Sequence, residues 1–151
     1  MECKIYTSYF ARLSKIRSEY PHALIVSISR HSPRWLIRWK DYIPCEELSP
    51  SKDLLWAWKC DRVGKALYRL KYLQEIKPVF QKEIVRLDKL AKSRNCNVIF
   101  LLCYEKPEEF CHRHILAELI GGIEEYTPTT YHATQDKNTE EYTDGKTSSI
   151  H

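Results

Sequence analysis

Between Leu101 and His114 the chain reads LLCYEKPEEFCHRH, a run that holds two cysteines, two histidines, three glutamates and an arginine. A cysteine attacks carbon, oxygen or sulfur as its thiolate, and a neighbouring imidazolium, guanidinium or helix N-terminus favours that form. Cys111 is therefore the first candidate nucleophile, with Cys103 as a second thiol. Glu105 suits a general acid or base, or the group that orients His112. Arg113 and Arg30 carry the planar fork that clamps a phosphate or carboxylate.

The same residues admit other chemistry. Cys103, Cys111, His112 and His114 are all ligand types that zinc accepts. Yet the two cysteines stand eight positions apart, and two histidines two positions apart on a helix point about 200° from each other. No metal site is assigned on this basis and no cofactor is expected, with a zinc-stabilised structural domain kept as a third reading. Ordinary roles are also open: Cys103 as an inert core thiol, and Arg113 as an ion-pair partner of Glu109 or Glu105.

A second constellation is RHSPRWLIRWK. Arg34, Trp35, Arg38, Trp39 and Lys40 interleave cations with stacking surfaces, the pairing that holds single-stranded nucleic acid. Tryptophans four apart can equally anchor a loop onto the core, and that packing role is the expectation here.

These groups must be positioned by the elements around them. CKIYTSYF reads as a strand followed by a short helix that Pro21 stops, and ALIVSIS (23–29) as a strand covered on both faces. Residues 30–60 hold all four tryptophans and no sustained period, so loops and short helices are expected there. From Asp61 to Arg94 the pattern is helical, with Val63, Ala66, Leu67 and Leu70 on one face and Phe80, Ile84, Leu87, Leu90 and Ala91 on another. Pro78 divides this stretch into two helices. NVIFLLC (97–103) is the strongest buried-strand signal. Pro107, Glu108 and Glu109 then suit the first turn of a helix that runs to Gly121, and a short strand is expected near IEEYTP.

That order predicts an α/β fold, a small, mostly parallel sheet flanked by helices in three Rossmann-like layers. In such sheets ligands gather beyond the carboxyl ends of the strands, where both SISRH and the opening run lie.

At 151 residues the chain suits one domain, 1–126, followed by a polar tail, 127–151, with almost no aliphatic side chains and expected to be flexible. No run approaches the roughly 18 apolar residues of a membrane span, and the N-terminus lacks the apolar segment of a signal peptide. The expected location is cytoplasmic, where the six cysteines stay reduced. Residues 1–95 hold 20 Lys+Arg against 10 Asp+Glu, whereas residues 96–151 hold 4 against 10. The basic part suits an anionic partner.

Taken together, IYTSYFARLSKI, IVSISRHSPRW, LSPSKDLL and FLLCYEKPEEFCHRHILAELI resemble the domain of unknown function 488 family of bacterial, archaeal and phage proteins, over residues 4–126. The resemblance implies a compact α/β domain whose signature groups match Cys103, Glu105, Cys111, His112 and Arg113, with Arg30 after the second strand. Many relatives carry an aspartate two positions before that arginine, where this chain has Ile28. The family implies a site rather than a reaction.

The resulting expectation is a pocket at the strand ends formed by Tyr6, Ser29, Arg30, Cys103, Glu105, Cys111, His112 and Arg113. It would bind an anionic small molecule such as a nucleotide or modified base, with cysteine chemistry as an extension of that role. The alternative is a nucleic-acid-binding module built on region 30–60. Residue types and spacing leave the oligomeric state open.

Overall fold

The computed structural model describes residues 3–128; the expected flexible tail therefore lies almost wholly outside the described residues. Five strands form one sheet: β1 (Lys4–Tyr9), β2 (Leu24–Ser27), β3 (Ile43–Pro44), β4 (Val98–Cys103) and β5 (Glu124–Glu125). Their spatial order is β3-β2-β4-β1-β5, and every pairing is parallel. Six helices flank the sheet: α1 (Leu13–Glu19), α2 (Arg34–Trp39), α3 (Lys52–Lys59), α4 (Lys65–Ile76), α5 (Phe80–Ser93) and α6 (His112–Ile120). This is the small three-layer α/β fold that the sequence predicts.

β4 occupies the centre because its run VIFLLC can be buried on both faces. Side chains alternate across the sheet, so Ile99, Leu101 and Cys103 join one core while Phe100 and Leu102 join the other. Ile99, Phe100, Leu101 and Leu102 are all fully enclosed, and each such side chain contributes about 1.5–3 kcal/mol of transfer free energy. The first core lies under Leu54 of α3, Tyr72 of α4, Leu87 of α5 and Leu116 of α6; the second lies under Ile16 of α1 and Leu36 of α2. From β1 through β3 the chain moves one way across the sheet, with α1 and α2 on one face. It then reverses direction through β4 to β5, with α3–α6 on the other, as a constant crossover hand requires.

That reversal matters for function. The chain leaves β1 and β2 toward one face and β4 toward the opposite face, so the loops part at the carboxyl end of β4. A crevice at such a point is where open α/β sheets place ligands.

Several local expectations change. α4 buries Tyr68, Tyr72 and Ile76, while Leu67 and Leu70 face solvent; Val63 is buried but precedes the helix. β3, two residues with a proline among them, is too short to show a period. α6 starts at His112 rather than near Pro107, because residues 106–109 close on themselves. The Lys106 N–H donates to the Glu109 carboxylate at 2.9 Å, and the Glu109 N–H donates back to the Lys106 carbonyl at 3.0 Å. Cys111, in extended conformation, becomes the N-cap of the helix. α6 ends where Gly121 and Gly122 take φ of 74° and 71°, left-handed values that favour glycine.

Candidate functional site

Cys103 is the last residue of β4, and Cys111 is the residue from which α6 springs. The loop between them folds back so that the two sulfurs lie 2.7 Å apart. Both thiols are unbridged and buried, Cys111 with 4% of its surface exposed. A chain of contacts leads from this pair to the other charged and polar groups.

Arg113 stands behind Cys103. Its side chain has no exposed surface, yet it is fully engaged. Nη1 donates to Cys103 Sγ at 2.9 Å and also to the Glu105 backbone carbonyl. Nε and Nη2 reach the two carboxylate oxygens of Glu125 at 3.1 and 3.0 Å, a bidentate pair. Thr7 of β1 donates its hydroxyl to the same carboxylate at 2.9 Å. Arg113 therefore pairs with neither Glu109 nor Glu105 in the expected way: Glu109 closes its turn, and Glu105 supplies its main chain.

His112 stands on the far side of the pair. Its Nε2 lies 2.7 Å from the Ile28 carbonyl, an acceptor only, so the proton belongs on Nε2. In the neutral ring Nδ1 is then an acceptor, and it faces Cys111 Sγ at 3.6 Å. The imidazole is thus oriented to take the Cys111 proton, after which both ring nitrogens donate. Burial and the adjacent Cys111 sulfur push the Cys103 thiol well above its ordinary value, with Arg113 opposing that rise. Cys103 accepts from Arg113, and either sulfur can donate to the other.

The pair opens onto a narrow cleft lined by Ser29, Arg30, Glu105, Cys111 and His112 on its polar side. Trp58, Tyr68 and Phe110 pack edge to face and tilted on one another and form the aromatic wall. Space open to a water-sized molecule is about 40 Å³, enough for a small polar group or a ring edge since one water needs roughly 10–15 Å³. Arg30 is held by a bond from Nε to the Pro50 carbonyl at 3.2 Å, with Glu46 4.0 Å from Nη1. Ser29 turns its hydroxyl to the His31 carbonyl. Of the expected residues, Ser29, Arg30, Cys103, Glu105, Cys111, His112 and Arg113 are brought together at the strand ends.

Tyr6 is not among them. Its ring stacks on Phe100 at 5.3 Å, close to Tyr20 and Tyr126, on the opposite face of the sheet from Cys103. An aromatic at the middle of β1 satisfies the second core before it can reach the strand end.

Tyr68 takes a place in the cleft that the sequence reading missed. Its hydroxyl has no hydrogen-bond partner among the described residues. Burial, and then the negative potential of Cys111 and Glu105, push it far above the ordinary phenol value, so it remains a donor. In the sequence it shows only as one of the pair Tyr68 and Tyr72, four apart on one helix, a spacing that a core and a cleft share. Tyr72 spends its hydroxyl on the Leu48 carbonyl at 2.6 Å; Tyr68 faces the cleft.

For a metal, Cys103, Glu105 and Cys111 offer ligand atoms within 4.8 Å of one another. The guanidinium on Cys103 Sγ opposes a cation at that ligand, so zinc fits only if Arg113 moves away. His114 is not in the group. Burial lowers its pKa, and its Nε2 is enclosed without a partner.

The expected packing of the tryptophans also changes. In α2 only Leu36 is buried, and Trp35 and Trp39 are 50% and 42% exposed. Arg17 lies over the Trp39 ring at 4.4 Å and reaches Asp41. Arg34, Arg38 and Lys40 share this exposed surface.

Among the described residues no helix is long and apolar enough to cross a membrane. A family model, DUF488-N3a, described as the active DUF488-N3 subclade, matches residues 8–123. That span holds every cleft residue and both cysteines but stops short of Glu125. No curated protein and no solved structure matches the chain.

Proposed function

The chain belongs to the domain of unknown function 488 family, and from that membership and this geometry we propose that it binds an anionic small molecule at the strand ends and acts on it through Cys111. The observation that carries the reading is the setting of the Cys111 sulfur. It sits at the N-cap of α6, with His112 Nδ1 on one side, the Cys103 thiol on the other and a cleft in front. The sulfur therefore faces a base at 3.6 Å and an open space in which it can react.

In this reading His112 removes the Cys111 proton and the thiolate attacks an electrophilic atom at the mouth of the cleft. Tyr68 donates to the oxygen or nitrogen that gains charge, and Glu105 relays a proton to the leaving group. Arg30 holds the anionic part of the substrate, and the Trp58, Tyr68 and Phe110 wall favours a planar ring. A nucleotide or modified base carries both features, with only its reacting edge inside the cleft. The description of the subclade as active agrees with a catalytic role.

The test is site-resolved alkylation by iodoacetamide at neutral pH. Cys111, though nearly enclosed, is expected to react faster than the exposed Cys60, and His112→Gln is expected to slow it about tenfold or more. Nucleoside monophosphates should protect it, and Arg30→Met should abolish that protection. An unreactive Cys111 in folded protein contradicts the reading.

The exposure of Trp35 and Trp39 favours a second reading, in which α2 stacks single-stranded nucleic acid while its arginines face the phosphates. Binding of an oligothymidylate should then weaken with salt. Replacing Arg34, Arg38 and Lys40 should flatten that dependence by about 2 in log–log slope. Affinity independent of salt would remove this reading.

A further inference from the structure

We infer that Cys103 and Cys111 are a reversible dithiol/disulfide couple, in which a hydroperoxide oxidises Cys111 and Cys103 resolves it. The inference rests on the reading of Cys111 as the cleft nucleophile and adds a partner chemistry to it. Four features meet at this one place. The two sulfurs are in contact at 2.7 Å, so a bond at the ordinary disulfide length requires an approach of only about 0.7 Å. One thiol faces the cleft and the other is sealed behind it, the division of labour between an attacking and a resolving cysteine. A base faces the first thiol, and a guanidinium lies on the second, where it can steady the charge that develops on that sulfur as its proton leaves. The cleft admits a group of a few heavy atoms, which a peroxide oxygen pair satisfies.

The steps balance as follows. His112 takes the Cys111 proton, and the thiolate attacks the terminal oxygen of the hydroperoxide. The O–O bond breaks, Cys111 becomes a sulfenic acid, and the departing alkoxide takes the proton from His112. The Cys103 sulfur then attacks the Cys111 sulfur. The S–S bond forms as the S–O bond breaks, and the hydroxyl leaves as water with the Cys103 proton. One hydroperoxide is reduced by two electrons to an alcohol and water, and two thiols become one disulfide. A small thiol in excess restores both cysteines and is itself oxidised to its disulfide. Oxidation takes the nucleophile out of use while sparing it from the irreversible sulfinic and sulfonic states.

Contact with the Cys111 sulfur at the edge of the cleft sets Cys103 apart from a core thiol such as Cys45. Cys45 shows the contrast. It is equally enclosed and also receives a guanidinium, with Arg86 Nη2 at 3.8 Å, but its thiol points to Glu83, and burial with that carboxylate pushes it up to about 12. Among the described residues no second sulfur is in hydrogen-bond contact with it, and it is expected to stay reduced.

The experiment uses the full chain, reduced and then exposed to graded hydrogen peroxide. Remaining thiols are alkylated after unfolding, and the protein is cleaved after glutamate so that Cys103 and Cys111 fall on separate peptides. The expected product is a linked Cys103–Cys111 pair, complete near one equivalent of peroxide and reversed by a dithiol. In Cys103→Ser the expected product is a Cys111 sulfenic acid trapped by a cyclic dione. Overoxidised Cys111 beside an unmodified Cys103 in the wild-type chain overturns the inference, and so does peroxide consumption by Cys60 alone. Iodoacetamide labelling of Cys111 before peroxide separates the two failures. Rapid labelling without a bridge removes only this inference, whereas no labelling in the folded protein removes the parent reading as well. The wild-type arm decides the matter even where the serine variant does not fold.

Discussion

Arg113 is the residue on which the site turns. Its guanidinium has no access to water, and among the described residues Glu125 is the carboxylate that pairs with it. Burial opposes that charge, but the sulfurs of Cys103 and Cys111 together with Glu125 hold the group protonated at every working pH. Glu125→Gln leaves a buried cation with a neutral partner and is expected to cost about 3 kcal/mol, measured by urea unfolding. The same change removes a negative charge behind the thiols. At fixed pH their alkylation should accelerate roughly fivefold, an electrostatic effect of about 1 kcal/mol; slower alkylation in a folded variant would contradict this account. Much of the site is legible in the sequence because Cys103, Glu105, Cys111, His112 and Arg113 are neighbours along the chain, and Ser29 and Arg30 follow a recognisable strand. Glu125 is not legible in this way, because nothing between residues 113 and 125 marks one carboxylate as the partner of a buried cation. Tyr68 is hidden for a related reason: a tyrosine on an amphipathic helix has the same spacing whether it fills a core or lines a cleft.

At the scale of elements, contacts between distant segments set the frame. The Asp88 carboxylate of α5 accepts the Cys3 N–H at 3.1 Å and pairs with Lys92 at 3.0 Å, which fastens α5 to the start of β1. The Cys3 thiol and Lys92, with a smaller part from the Cys3 N–H, hold its pKa down at about 2, against an ordinary 3.8. A group with a lowered folded value stabilises the fold above its unfolded pKa and loses that effect as pH falls through the folded one. The contribution is therefore complete above about 3.8 and gone below about 2. Denaturant titrations across this window should show the loss in the wild type, and Asp88→Asn should flatten it; equal slopes would exclude the tie. Strands β1, β2 and β4 and the break at Pro78 are readable from apolar runs and from proline chemistry. The late start of α6 is not, because Pro107 and two glutamates carry the composition of a helical first turn. Here the Glu109 side chain serves a local turn instead, and the helix waits for Cys111.

For the molecule as a whole, the site is not a separable appendage. Cys103 belongs to the central strand, and both cores close on that strand from opposite sides. Unfolding followed by far-ultraviolet circular dichroism and by exposure of the Cys103 thiol should give one denaturant midpoint. Two midpoints would mean that the strand end opens without the sheet. The three-layer architecture is readable because the order of strands and helices restricts crossovers to one hand. The exposed face of α2 is not, since tryptophan and arginine at intervals of four describe an anchor and an outward surface equally well. The place of β4 between β2 and β1 also bears on how the protein is made. Translation must add the 70 residues between β2 and β4 before either earlier strand meets its main partner. At ribosomal speed that interval lasts roughly 4–14 s. During it Leu24, Ile25 and Val26 have only the two-residue β3 beside them, so the nascent chain carries an apolar edge that chaperones can hold until the centre of the sheet arrives.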